Sequence, residues 1–360
     1  MEEISNEKKS RKNKVIAAIL ISVSVFVIAG ALASKLLRKD PSISTGKTTA
    51  SSKTKAPALY ESKLDGVKYS SKELAERHPL AVSIENHPDA RPQSGLGSAS
   101  IVYEAITEGG ITRFLAIFSP KDVKEVGPIR SARLFFMDWV KEYDAFFAHD
   151  GGNEDALANM TKYGIKDLQR NTANYWKDAK GKNVATEHTL YSSIEKLYGY
   201  AKSKNLDTTT SSFTPMTFKD DQPTSEVSKS VEIDFSQNQS YLVKWIYDVS
   251  KNQYSRFLAG KEHTDRNSGE QITAKNIIIQ TVSRTLDPTG SYGSQNWVFK
   301  TTGSGKAVIM QDGKTTNATW KKGSLEDRTK FYDEAGSEIK FNRGASWYEI
   351  IPPEVQPAFF

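Results

Sequence analysis

The chain has 360 residues, enough for one or two globular domains and additional segments. It contains no cysteine, which excludes disulfide bonds, thiol catalysis, cysteine-based metal sites and a lipid-modified cysteine. The net charge is +6, but residues 1–59 carry 11 Lys and Arg against 4 Asp and Glu, and the remainder carries 38 against 39. We therefore predict no nucleic-acid binding, because the folded part lacks an excess of basic residues.

The N-terminal residues predict a single-pass membrane anchor. Residues 1–14 form a polar, basic tail, and residues 15–37 begin with an apolar run whose twenty residues would span roughly 30 Å as a helix. The basic tail predicts a cytoplasmic N-terminus and extracellular globular domains at the cell membrane. A cleaved signal peptide is the alternative, because Ala31-Leu32-Ala33 resembles a cleavage site. Residues 38–59 are rich in Ser, Thr and Lys, and predict a disordered linker.

Residues 60–204 predict a first, α+β domain. Its first apolar strand, Leu80 to Ile84, ends in Glu85 and Asn86, and a proline-containing turn carries Arg91. Polar side chains at the end of a strand often bind ligands. A rigid connector whose polar groups serve only turn hydrogen bonds is the alternative.

The next segment predicts a β-hairpin. Ile101 to Glu108 and Ile111 to Phe118 are rich in β-branched and aromatic residues, and Gly109-Gly110 is typical of a two-residue turn. Counting from that turn places Glu104 opposite Leu115 and Ile106 opposite Arg113. Glu104, Glu108 and Arg113 would then share one face, with Arg113 between the two carboxylates. The face is either a salt-bridged surface or the floor of a ligand cleft, and a helix ending at Gly109 is the alternative secondary structure.

A helix is predicted to begin at Gly127-Pro128, since proline favours the first helical position. Arg130 and Arg133 would then share a face near the helix N-terminus and could bind an anion. Pairing with Asp138 or with the hairpin glutamates is the alternative.

Two histidines follow as candidate catalytic or binding residues. His149 leaves a predicted strand, Ala145 to Ala148, beside Asp150 and a glycine loop. Such a pair could act in proton transfer or bind a metal, although a structural role is common for single histidines. Thr189 would cap a short helix from Leu190 to Tyr200, and His188 precedes it.

Residues 205–230 predict a connector, and residues 231–352 predict a second, β-rich domain. Strand patterns recur there, and Asp312-Gly313 is typical of a hairpin turn. Its tryptophans are predicted to pack in the core, although exposed ones could stack on sugars. A polar loop carrying Arg256, His263, Asp265 and Arg266 could face the first domain.

The segment PLAVSIENHPDARPQSGLGSASIVYEAITEGGITRFLAIF, together with GPIRSAR, AHDGG and EHTLYSS, resembles the YerB-like family of bacterial envelope proteins. YSRFLAGKEHTDRNSGEQITAKNIIIQ and RGASWYEIIP match the same family in order. The resemblance covers about Leu80 to Pro352. It implies an α+β domain followed by a β-rich domain at the cell envelope, and no established activity, because the family is defined largely as a domain of unknown function. Unlike lipoprotein members, this chain has no cysteine to carry a lipid, so we expect the transmembrane helix to replace it.

Two functions remain open. The first is a binding module for a cell-wall component or an envelope protein, and the alternative is a cell-wall hydrolase or transferase using Glu104 or Glu108 with His149 or His188. No cofactor or metal centre is predicted, because no nucleotide motif or zinc signature is present. The candidate binding residues are Glu85, Asn86, Arg91, Glu104, Glu108, Arg113, Arg130, Arg133, His149 and His188.

Overall fold

The computed structural model describes residues 58–209, 211–224, 230–286 and 296–360. The predicted tail, the anchor and residues 38–57 of the linker lie outside the described residues. Within the described ranges, no helix is both long and apolar enough to cross a membrane.

The α-helices in the described ranges are α1 (Lys72–Glu76), α2 (Leu134–Glu142), α3 (Glu154–Asn159) and α4 (Ile194–Ser203). The strands of the first half are β1 (Tyr60–Glu61), β2 (Lys68–Tyr69), β3 (Leu80–Glu85), β4 (Ile101–Ile106), β5 (Thr112–Phe118), β6 (Phe146–His149), β7 (Lys166–Gln169), β8 (Trp176–Lys177), β9 (Leu190–Tyr191) and β10 (Phe218–Lys219). The strands of the second half are β11 (Val231–Asp234), β12 (Leu242–Asp248), β13 (Gln253–Leu258), β14 (Lys261–Glu262), β15 (Thr273–Ala274), β16 (Asn276–Thr281), β17 (Arg284–Leu286), β18 (Trp297–Phe299), β19 (Gly303–Gln311), β20 (Lys314–Lys322), β21 (Lys330–Tyr332), β22 (Phe341–Asn342), β23 (Ser346–Ile351) and β24 (Ala358–Phe359).

A ten-stranded mixed sheet is the main element of the fold. Its strand order is β21-β20-β19-β16-β23-β4-β5-β3-β6-β7. The two halves meet where β23 pairs in parallel with β4, so that Glu349 lies beside Glu104. The halves that the sequence separates therefore contribute strands to a single sheet.

Different elements cover the two faces of this sheet. On one face, Val82 and Phe114 belong to an apolar core that includes Leu197 of α4 and Trp245 of the second sheet, whose order is β14-β13-β12-β11-β24. On the other face, Tyr103 packs in a core with Trp139 of α2. The result is a three-layer α+β arrangement, in which the middle strands of the sheet, β23, β4, β5 and β3, are buried on both sides.

Most predicted strands are confirmed, including β3, the β4–β5 hairpin and the β12–β13 hairpin. Asp312 and Gly313 both have positive φ and join β19 to β20, as the hairpin signal predicted. Of the second-half tryptophans, Trp245, Trp320 and Trp347 are buried, as expected for core residues.

Two helix predictions were wrong at their N-terminal ends. Residues 126–133 are extended, and helix α2 begins only at Leu134, because Glu85 N donates to the carbonyl of Pro128 and Arg130 N donates to Ser83. The predicted helix at Leu190 begins instead at Ile194, and its cap is Ser193 rather than Thr189, because Leu190–Tyr191 forms β9. In both cases, pairing with distant backbone groups outweighs the local helix signal.

Candidate functional site

The β4–β5 hairpin is one residue away from the predicted register. Glu104 lies opposite Phe114 rather than Leu115, and Arg113 lies opposite Ala105. Side chains alternate between the two faces of a sheet, so a shift of one residue moves a side chain to the other face. Arg113 and Glu104 therefore lie on opposite faces, and the predicted placement of Arg113 between Glu104 and Glu108 was wrong.

The turn explains the shift. Glu108–Gly110 forms a 3₁₀ turn, and Thr107 N donates to the carbonyl of Ile111. The connection is therefore longer than the two glycines alone indicate. Glu108 belongs to this turn rather than to a strand, and it lies on the Arg113 side.

Glu104 belongs to a buried network on the face covered by the second sheet. Its carboxylate accepts hydrogen bonds from Thr112 Oγ1 at 2.6 Å and Asn86 Nδ2 at 3.3 Å, and also from Arg256 Nη2. Glu104 and Arg256 are both fully buried. The predicted strand-end residue Asn86 is therefore an internal bridge rather than an open ligand contact.

Further hydrogen bonds link Arg256, in the second half of the chain, back to Asn86. Arg256 Nη1 donates to His263 Nδ1 at 2.7 Å, and His263 Nε2 donates to Gln93 Oε1 at 2.8 Å. Gln93 Nε2 then donates to Asn86 Oδ1 at 3.0 Å. We call these residues the buried ring: Asn86, Gln93, Glu104, Thr112, Arg256 and His263. The expectation that the polar loop faces the first half is confirmed.

Burial sets the charge states of this ring and of the adjacent Glu349. Burial and then the nearby Arg256 and Arg91 guanidiniums lower the pKa of His263 well below its usual value. Burial and then the neighbouring Glu104 carboxylate raise the pKa of Glu349 well above its usual value, and Trp245 Nε1 donates to Glu349 at 2.6 Å. The ring joins the two halves of the protein and is closed to solvent.

The other face carries a second polar group, the arginine cluster, made of Arg113, Arg130 and Arg133 with Glu85 and Glu108. Arg133 holds both oxygens of Glu108, with Nη2 at 2.6 Å from Oε1 and Nε at 3.1 Å from Oε2. Arg113 Nη2 donates to the same Oε1 at 2.9 Å. Burial by itself raises the pKa of Glu108, but Arg113 and Arg133 outweigh it and hold the pKa well below its usual value.

Arg130 makes the second ion pair of the cluster. Its Nε faces Glu85 Oε2, and Glu85 Oε1 accepts hydrogen bonds from the backbone N–H groups of Asn86 and His87. His188 Nδ1 lies 3.6 Å from the same Oε2. Burial raises the pKa of Glu85, but His188, Arg113 and Arg130 outweigh it and lower the pKa to about 2.

The arginines thus pair with acidic groups, as the alternative prediction from the sequence stated. They do not form an anion site at a helix N-terminus. The extended segment 126–133 carries Arg130 and Arg133 beside the end of β3, so they do not share a helix face. Asp138 is not their partner, because its Oδ2 accepts from Thr301 Oγ1 at 2.6 Å.

Arg91 and His149 lie apart from this cluster. Arg91 donates to the carbonyl and side-chain oxygens of Asn86, and its guanidinium lies 5.2 Å from the ring of Tyr241. His149 is fully buried, with Nδ1 2.6 Å from the carbonyl of Gly151 and Nε2 3.0 Å from Asp167. Its two ring nitrogens therefore have internal partners.

The structure also assembles a group that the sequence reasoning did not predict. His87, Asp89 and His188 each place one potential ligand atom within 4.8 Å of the others. His87 and Asp89 belong to the proline-containing turn that carries Arg91, and His188 is 101 positions from His87. The only sequence signal was that each histidine adjoins an acidic residue or a turn.

The predicted catalytic set is not brought together. Glu104 is fully buried against Arg256, Glu108 is held by two arginines on the other side of the sheet, and His149 is enclosed. Of that set, Glu108 belongs to the arginine cluster and His188 lies beside the cluster, through Glu85.

Comparisons with known proteins place this architecture among proteins of unknown function. Residues 64–207 match the family described as "Protein of unknown function (DUF3048) N-terminal domain", and residues 231–348 match the corresponding C-terminal domain. The chain is 33% identical over 307 residues to a Bacillus subtilis (strain 168) protein named "Putative lipoprotein YerB", covering 83% of this chain and 87% of that protein. It is also similar to the crystal structure of YerB protein from Bacillus subtilis, with a TM-score of 0.73 and 30% identity, covering 83% of this chain and 99% of that one.

Proposed function

Because the chain belongs to the YerB-like family of proteins of unknown function (DUF3048), we propose that it is a cell-envelope protein whose arginine cluster binds an anionic component of the cell wall. The globular part acts outside the cell membrane, and residues 15–37 anchor it. The name of the Bacillus subtilis relative supports an envelope location, and the apolar run after a basic tail supports a single-pass anchor.

The observation that carries the proposal is that Arg113 and Arg133 share one oxygen of Glu108. Arg113 and Arg133 together face the single carboxylate of Glu108, which leaves an excess of positive charge at that pair. Burial and then repulsion from Arg113 lower the pKa of Arg133 to about 10. A further anion would relieve that repulsion, because oxyanions accept hydrogen bonds from guanidinium groups in a matched geometry.

The exposure of the cluster fits a surface ligand. The side chains of Arg130 and Arg133 are 21% and 13% exposed, so part of each reaches solvent, whereas Arg113 is only 1% exposed. Arg113 can therefore hold Glu108 in place while the other two arginines contact the ligand. A polymer carrying phosphate or carboxylate groups offers oxygens for both.

The same geometry favours binding over hydrolysis. A general acid must hold a proton near the working pH, and the lowered pKa of Glu108 keeps it ionised instead. Glu104 is enclosed in the buried ring and lies on the opposite face from Arg113.

The test is co-sedimentation of the full-length protein with purified cell wall, combined with mass spectrometry of released fragments. We expect retention without release, and retention weakened about tenfold in Arg133→Gln, because a charge-assisted hydrogen bond contributes roughly 1.5–3 kcal/mol. Arg170→Gln is the control, since Arg170 pairs with Asp150 and its side chain is 41% exposed. Fragment release that disappears in Glu108→Gln would contradict the proposal and make the protein a hydrolase.

A further inference from the structure

His87, Asp89 and His188 form a group with the composition of a metal site. Each offers one ligand atom, and these atoms all lie within 4.8 Å of one another. His87 Nδ1 and Asp89 Oδ2 are 3.6 Å apart, and the imidazole rings of His87 and His188 stack with centroids 4.7 Å apart. The two histidines come from segments distant in sequence, so the tertiary fold creates this arrangement.

A second observation points to a ligand for His188. The side chain of His188 is only 9% exposed, and its Nδ1 faces Glu85 Oε2 at 3.6 Å. Histidines that bind metals commonly donate their other ring N–H to a carboxylate, which fixes the tautomer and the orientation of the ring. With Nδ1 directed at Glu85, the nitrogen left for coordination is Nε2.

Glu85 is itself held firmly in that position. Two backbone N–H groups bind Oε1 at 3.2 Å, and Arg130 faces Oε2. The carboxylate is 2% exposed, so water does not compete for it freely. His188 Nδ1 therefore faces, at 3.6 Å, a carboxylate whose position is fixed.

We infer that His87, Asp89 and His188 bind a divalent transition-metal ion of the Zn²⁺ type. Two imidazole nitrogens and one carboxylate oxygen suit Zn²⁺, and Mg²⁺ and Ca²⁺ prefer oxygen ligands alone. Three protein ligands leave the fourth tetrahedral position for water or for an atom of a bound molecule. The site is separate from the anion contacts of Arg133 and does not depend on the wall-binding proposal.

The ligand distances fit once the His87 ring turns out of its stack with His188, because the ion must lie in both imidazole planes and the two rings now lie nearly parallel. Ligand atoms around tetrahedral zinc lie about 3.3 Å apart, given metal–ligand distances of about 2.0–2.2 Å. The 3.6 Å separation of His87 Nδ1 and Asp89 Oδ2 is close to that value, and a bound ion would replace the hydrogen bond that Nδ1 now accepts from Asp89 N at 3.3 Å. Their side chains are 35% and 55% exposed, so they can rotate toward His188 without disturbing the core.

The test measures Zn²⁺ binding to the untagged full-length protein at neutral pH, by competition with a chromogenic chelator. We expect one equivalent in the wild type and an affinity at least tenfold weaker in His87→Gln and in Asp89→Asn. Asp122→Asn is the matched control, because this exposed carboxylate pairs with Arg77 elsewhere on the surface. His78, His149 and His263 are buried, so they should not contribute to the binding measured.

The melting temperature is a second readout, which distinguishes the loss of zinc binding from misfolding of a variant. Zn²⁺ should raise the melting temperature of the wild type and of Asp122→Asn, but not that of His87→Gln, because a ligand that binds only the folded state stabilises it. Arg133→Gln should still bind zinc, while its retention on cell wall falls. A protein that binds zinc but is not retained on cell wall would contradict the wall-binding proposal and leave the metal site intact. Zinc binding absent from the wild type, or equal in His87→Gln, would overturn the inference.

Discussion

Glu104 and Arg256, 152 positions apart in sequence, form an ion pair in which both side chains are fully buried. The pair connects β4 of the first half to β13 of the second. Arg256 also lies over the ring of Trp347 at 4.6 Å and donates to His263. One side chain thus neutralises a carboxylate, completes the buried ring and packs against the aromatic core.

Replacing Arg256 should test how far the two halves depend on this pair. We expect Arg256→Met to lower the free energy of unfolding by about 3–5 kcal/mol, because Glu104 would be left buried without its cation. Arg170→Met should cost less than about 1 kcal/mol, since its ion pair is exposed. Denaturant unfolding measures both, and an equal loss in the two variants would contradict this assignment.

Glu104 and Glu349, which are adjacent in this network, should respond differently to replacement by glutamine. Burial and the Glu104 charge raise the pKa of Glu349, which favours its neutral form. Glu349→Gln mimics that form and keeps an acceptor for Trp245, so it should cost less than about 1 kcal/mol. Glu104→Gln deprives Arg256 of its carboxylate and should cost about 3 kcal/mol or more. Equal losses in the free energy of unfolding of the two variants, measured by chemical denaturation, would show that the negative charge is not held mainly by Glu104.

Asp138 should make stability depend on pH. Burial raises its pKa to about 6, from 3.8 in an unfolded chain, despite the hydrogen bond from Thr301. Because the folded state binds this proton more tightly, the stabilisation is complete below pH 3.8 and is lost as pH rises through about 6. Relative to Asp138→Asn, the wild type should lose about 3 kcal/mol across that window. Urea unfolding at a series of pH values measures it, and parallel pH profiles for the two proteins would contradict it.

Gly313 should tolerate a methyl group less well than Gly336. Both glycines have positive φ, which disfavours alanine at either position. A Cβ at Gly313 would lie 2.5 Å from the ring of Tyr247, whereas a Cβ at Gly336 would meet nothing within 4 Å. We expect Gly313→Ala to cost about 1–3 kcal/mol more than Gly336→Ala. Thermal melts of the two variants compare them, and indistinguishable melts would argue against this packing of the β19–β20 turn.

Local patterns were sufficient to predict much of the sheet. β-branched and aromatic runs marked β3, β4, β5, β12, β13 and β23, because such residues favour strands and alternate between faces. The Asp312-Gly313 turn was predictable because a two-residue type I′ hairpin turn requires positive φ at both positions, which Asp-Gly favours. These features depend on neighbours in sequence.

The details that decide the site depend on distant partners. Gly127-Pro128 resembles a helix start, yet backbone bonds to Ser83 and Glu85 keep that segment extended. The Gly109-Gly110 signal was correct, but Glu108 joins the turn and shifts the register by one residue. That shift placed Arg113 away from Glu104, and no local pattern could indicate it.

The central claim is that the arginine cluster binds anionic groups of the cell wall. The most direct measurement compares the affinity of the full-length protein for intact walls and for walls stripped of their anionic polymers, at low and high salt. The account predicts tight binding to intact walls that weakens with salt, is lost on stripped walls, and falls about tenfold in Arg133→Gln but not in Arg170→Gln. Equal binding to intact and stripped walls, unaffected by Arg133→Gln, would contradict it.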